Sequence, residues 1–150
     1  MTGTKLSAAS ACYLLAFAAS GCGPVDEFAS VQGTLHVAGA PAANILVIFT
    51  PESGDGRALP RSAGVTDADG HFLLRTDDGR QGAIVGTHRV TVEDMDPYTV
   101  QRTDRPPSAG ERPPAPRVPP GYSAAATTPL TAKVTAGGAS VELEVPAAHR

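Results

Sequence analysis

The sequence predicts an all-β domain, a sandwich of seven antiparallel strands behind a short apolar leader. Three observations carry that reading. Several stretches alternate apolar and polar residues at period two, which suits a strand with one buried face. Turn formers are plentiful, with 16 Gly and 14 Pro, whereas aromatics are only 5% and Trp is absent, so a helical bundle is disfavoured. Ser62 to Leu74 reads as two strands joined at Asp67-Ala68-Asp69-Gly70, where Gly takes a positive φ without steric cost and Val65, Thr66 and Phe72 flank the turn.

In chain order, Ser30 to Ala38 places Val31, Gly33, Leu35 and Val37 on one face, with Gln32, Thr34 and His36 on the other. Ile45-Leu46-Val47-Ile48-Phe49, ended by Pro51, is a short uninterrupted apolar run and suggests a central strand. A Gly/Asp/Pro loop covers 52–60, and the hairpin supplies the third and fourth strands, the latter running to Thr76. Ala83 to Val92 forms the fifth, with His88, Val90 and Val92 sharing a face. Seven of the 14 prolines then fall between Pro106 and Pro120, so about 97–129 is expected to be an exposed, polyproline-like loop that contributes little to folding. Leu130 to Thr135 and Ser140 to Val145, joined through Ala136-Gly137-Gly138, are expected to close the sheet as a last hairpin.

The leader supplies an address. Leu6 to Gly21 is an uncharged apolar run behind Lys5, too short to span a hydrocarbon core of ~30 Å. It ends in Ala19-Ser20-Gly21-Cys22, which resembles the lipobox of bacterial lipoproteins. That resemblance implies a signal peptide over 1–21, lipid on Cys22 as the new N-terminus, a tether over 22–29 and a domain over 30–146. Ala16-Phe17-Ala18 offers an alternative small-x-small cleavage site that would release a soluble protein. Cys12 lies inside the leader, so the domain is left without a cysteine pair and must be stabilised by packing alone. A net charge of -3, with ten Arg and two Lys scattered along the chain, argues against nucleic acid as a partner.

Val31-x-Gly33, Val47-x-Phe49-x-Pro51, Gly64-x-Thr66-Asp67-x-x-Gly70-x-Phe72 and Gly86-x-His88-x-Val90-x-Val92 together resemble the carboxypeptidase regulatory-like domains. Val118-Pro119-x-x-Tyr122, Leu130-Thr131 and Val141-x-Leu143-x-Val145 are similar to small bacterial lipoproteins built on that domain. The resemblance implies a prealbumin-like, Ig-like seven-stranded sandwich; its Gly and aromatic positions have turn and packing roles, so function follows only by analogy.

An EF-hand with Gly70 sixth would need carboxylates where Val65 and Thr76 stand, so that site is excluded. A looser cation site remains to be considered, because the meander should bring Asp67 and Asp69 to the same end as Glu93, Asp94 and Asp96; solvated turn acids are the simpler account. His88 is expected to be a hydrogen-bonded core histidine, while His36 and His71 face away from the core. The chain has neither Cys/His spacing for zinc, a Gly-x-Ser-x-Gly elbow nor a phosphate-binding loop. The related hydroxyisourate hydrolases carry a C-terminal Tyr-Arg-Gly-Ser, where this chain ends Ala147-Ala148-His149-Arg150. Phe49 and Phe72 are assigned to one core, and Tyr98 and Tyr122, which bracket the proline-rich loop, are candidate partner contacts that either anchor the loop or form a sugar platform.

The expectation is therefore a non-enzymatic cell-envelope lipoprotein, anchored to a bacterial membrane by lipid on Cys22, with no catalytic residues and no cofactor. Its domain would bind a protein or glycan, or serve as a structural spacer. The alternative is a soluble secreted or periplasmic domain with an unidentified hydrolase activity.

Overall fold

A computed structural model describes residues 27–53, 56, 58–95 and 117–148. Cys22, Asp96, Tyr98 and the leader lie outside the described residues. Among those described the chain is all-β, with one short 3-10 turn at Pro120–Tyr122.

Eleven strand segments appear among the described residues: β1 Phe28–Ala29, β2 Val31–Val37, β3 Ala40–Pro41, β4 Ile45–Pro51, β5 Ser62–Val65, β6 His71–Leu73, β7 Arg75–Thr76, β8 Ala83–Ile84, β9 Gly86–Asp94, β10 Thr131–Val134 and β11 Ala139–Val145. Five of them form one sheet in the order β10-β9-β4-β5-β7, and β4 is central in it, as its apolar run implied. A second sheet is built on β2, flanked by β11 on one side and by β3 and β6 on the other. The two sheets face each other across one core. Val31, Leu35, Phe72, Leu143 and Val145 come from the second sheet, and Ile45, Val47, Phe49, Val90, Val92 and Val134 from the first. The Phe49 and Phe72 rings meet across the gap, tilted, with centroids 6.4 Å apart.

Local chemistry fixes the corners. Asp67 Oδ1 accepts the backbone N–H groups of Asp69 and His71 at 3.0 and 2.8 Å, and Gly70 closes the turn at φ 77°. The hairpin register persists beyond it, with Ser62 opposite Thr76 and Ala63 opposite Arg75. In between, however, β6 turns to pair with β2, and the fully buried Leu74 marks where one continuous segment passes between sheets. Gly33 makes this possible, because a Cβ there would stand 2.5 Å from Phe72 Cζ and keep that ring out of the core.

Three expectations are corrected. The domain is not wholly antiparallel and does not end in a closing hairpin: β10 pairs with β9, whereas β11 crosses to the second sheet and runs parallel to β2 through seven residue pairs. Both β2 and β11 start at the same end, and the Ala139 N–H to Ser30 O and Ala38 N–H to Val145 O bonds fasten the ladder at its two ends. The end of the stretch expected as a tether over 22–29 is part of the fold, since Phe28 and Ala29 pair with Ile84 and Ala83 and Ala29 is buried. The proline-rich loop is not free throughout: within 117–129, Val118 and Thr128 are buried and Tyr122 rests against the core. Proline-rich sequence hides this because it forbids sheet pairing, yet isolated side chains still dock.

Candidate functional site

The strands run between two ends. Phe28, the 82–86 corner and the 135–138 turn lie at one, where the Arg80 guanidinium stands 4.8 Å above the Phe28 ring. The Asp67–Gly70 turn and Asp94 lie at the other, because Asn44 N–H bonds Thr66 O while Met95 N–H bonds Asn44 O. This is the shared end foreseen for the acidic groups. Arg117 is bidentate to Asp94, with Nε to Oδ2 at 2.7 Å and a second contact from Nη2 to Oδ1. The chain therefore leaves β9 and rejoins the described domain at one point, at the end away from Phe28.

Two of the predicted acidic residues have structural partners at that end. Asp67 is engaged by its own turn, Asp69 is exposed on it, and Asp94 is held by Arg117. Among the described residues no group of three His, Cys, Asp or Glu side chains converges as a metal would require. Tyr122 packs against the core, in keeping with the anchoring role rather than a flat sugar platform.

His88 is a core residue. It is 1% exposed, its Nε2 lies 2.8 Å from Ile84 O as donor, and its ring sits 5.6 Å from that of Phe49. Nδ1 has no partner, and burial lowers the pKa of the imidazole, opposed by the Ile84 bond and by Glu52. A ring whose free nitrogen is buried away from solvent cannot reach a substrate proton, so His88 packs the core.

What sequence reasoning missed is the outer face of the second sheet. A groove of about 770 Å³ crosses β11, β2 and β6 and reaches the end of β5. Register sets its side chains in two rows: Ser140, Gln32 and Leu73 in one, and Glu142, Thr34 and His71 in the next, with Asp67 beyond. Val65 and Leu73, 51% and 43% exposed, are two of the three large apolar residues exposed among those described, and both line it. Its charges are the carboxylates of Asp67 and Glu142, with no Lys or Arg in the lining. The signal was present as two apolar residues flanking a tight turn, but only the β2–β11 pairing brings Glu142 to them.

Comparison of the chain with family models, with curated proteins and with solved structures finds no match in any of the three.

Proposed function

We propose that this chain is an exported lipoprotein of the bacterial cell envelope, anchored by lipid on Cys22, whose β-sandwich is a non-enzymatic binding module for a protein or glycan. The observation that carries the reading is the apolar run ending in Ala19-Ser20-Gly21-Cys22 only six residues before Phe28, the first paired residue among those described. Six extended residues reach about 20 Å, so the lipid would hold the Phe28 end close to the membrane. The opposite end, where Asp94 and Arg117 meet, would then point away from the bilayer, toward a partner. The all-β architecture and the packing roles of Gly33, Gly70, Phe49 and Phe72 support a prealbumin-like, carboxypeptidase regulatory-like design for the module. Binding rather than catalysis is favoured because buried polar side chains such as Thr66, which bridges Ala42 O and Ile45 N–H, and Thr128, which bridges Val90 O and Leu130 N–H, serve the fold, and the buried His88 is closed off from solvent.

Intact mass of the membrane-extracted protein tests the anchor: a diacylated N-terminal Cys22 is expected, with release from the membrane in Cys22→Ala. An unmodified N-terminus at Ala19, or the same fractionation in the variant, refutes it.

A further inference from the structure

We infer that the open edge of β11 is a docking site for an extended peptide strand carrying Lys or Arg at alternate positions. The inference rests on the reading of the domain as a binding module and names its partner.

The backbone sets the edge. The bonds from Ala139 N–H to Ser30 O and from Ala38 N–H to Val145 O fix the parity of the parallel ladder, so Ala139, Val141, Leu143 and Val145 direct their N–H and C=O groups to β2. Ser140, Glu142 and Glu144 direct theirs the other way. No strand among the described residues takes them, because β10 turns aside to pair with β9. A row of donors and acceptors that no described residue takes, on a seven-residue strand, is a template for an added strand.

The side chains choose the partner. Those of Ser140, Glu142 and Glu144 stand exposed on the outer face, and Ser140 and Glu142 also line the groove, which has carboxylates and no cation. Glu144 accepts the Gly39 N–H at 2.9 Å through one oxygen and keeps the other open, and Glu142 has no ion pair among the described residues. A second copy pairing edge to edge would set glutamates against glutamates, which is unfavourable for directly opposed strands. Lys or Arg at alternate positions of the incoming strand reverses that sign, and its apolar residues between them continue the buried face of Val141, Leu143 and Val145.

The test uses the full mature chain and two labelled nine-residue peptides, one alternating Lys with Val and one alternating Glu with Val. The Lys peptide should bind at least tenfold tighter and slow hydrogen exchange at the amides of Ser140, Glu142 and Glu144, which exchange fast beforehand. Glu142→Pro deletes one outward N–H while leaving the bonds to β2, and should weaken binding at least tenfold. The double change Glu142→Lys, Glu144→Lys keeps the backbone edge and should reverse the preference between peptides. Protection of these amides before peptide is added, equal binding of both peptides, or undiminished binding by the proline variant would overturn the assignment. If a partner is instead captured through another surface, the binding-module reading survives and this one falls.

Discussion

His88 is a histidine enclosed by Phe49 and Ile84, and its burial makes stability depend on pH. Its pKa in the folded chain lies below the ordinary 6.5, so above that value it is neutral in both states and contributes no slope. As pH falls below about 6.5 the unfolded chain takes up a proton that the folded chain resists, and stability declines by up to ~1.4 kcal/mol per pH unit until the folded histidine is protonated. Urea melts at pH 7.5, 6.5 and 5.5 should show that decline, and His88→Leu should flatten it; an unchanged slope in the variant would refute the assignment. Gly33 offers a second test at this scale. Gly33→Ala drives a methyl into Phe72 and the Val141 carbonyl, and overpacking of this kind costs about 1–3 kcal/mol or more. The double variant Gly33→Ala, Phe72→Leu should recover only the part of the loss in a thermal melt that comes from the ring, because the closer clash, with the backbone Val141 carbonyl, stays.

Between elements, aromatic packing joins the two sheets, and an ion pair ties the returning chain to the end of β9. Phe49 belongs to the central strand β4 and Phe72 to β6, so truncating either to Ala opens a cavity between sheets at a cost of about 3–5 kcal/mol. A chemical-denaturation midpoint that barely moves in either variant would show that the sheets do not depend on this contact. At the far end Arg117 fastens the returning chain to Asp94, whose side chain is only 9% exposed. Arg117→Ala removes this bidentate cation and should lower the melting temperature by more in the parent chain than in Asp94→Asn, where the pair is already broken. Two losses that simply add would show the pair to be uncoupled.

At the scale of the molecule the fold has two unlike ends. β9 spans nine residues, about 30 Å at the rise of a strand, and separates the Phe28 end from the Asp94 end. If Cys22 carries the anchor, single cysteines placed at Gly137 and at Asn44 should differ: a bulky maleimide should label Asn44→Cys readily on vesicles and Gly137→Cys slowly, with both labelled alike in the Cys22→Ala protein. Equal labelling on vesicles would mean that the domain lies on its side.

By itself the sequence determined the longer strands, because alternation at Val31 to Val37 and Glu142 to Val145, and Gly at Asp69-Gly70, act over a few residues, whereas the short pairings at Phe28–Ala29 and Ala40–Pro41 have no period of their own. It also determined that His88, Phe49 and Phe72 are core residues, since parity along one strand is local. Tertiary structure alone decided which strand lies beside which. The apparent last hairpin became two strands in opposite sheets, because β9 and β2 each had an open edge and the Ala136-Gly137-Gly138 link is short enough to turn but imposes no pairing beyond Thr135 and Gly138. The proline-rich return became partly structural for the same reason: Arg117, Val118 and Thr128 find partners on β9 and in the core that are distant in sequence. The groove and the acidic edge of β11 belong wholly to that level. They join residues from positions 32, 65, 73 and 142, and no local period encodes which of two open edges a strand will choose.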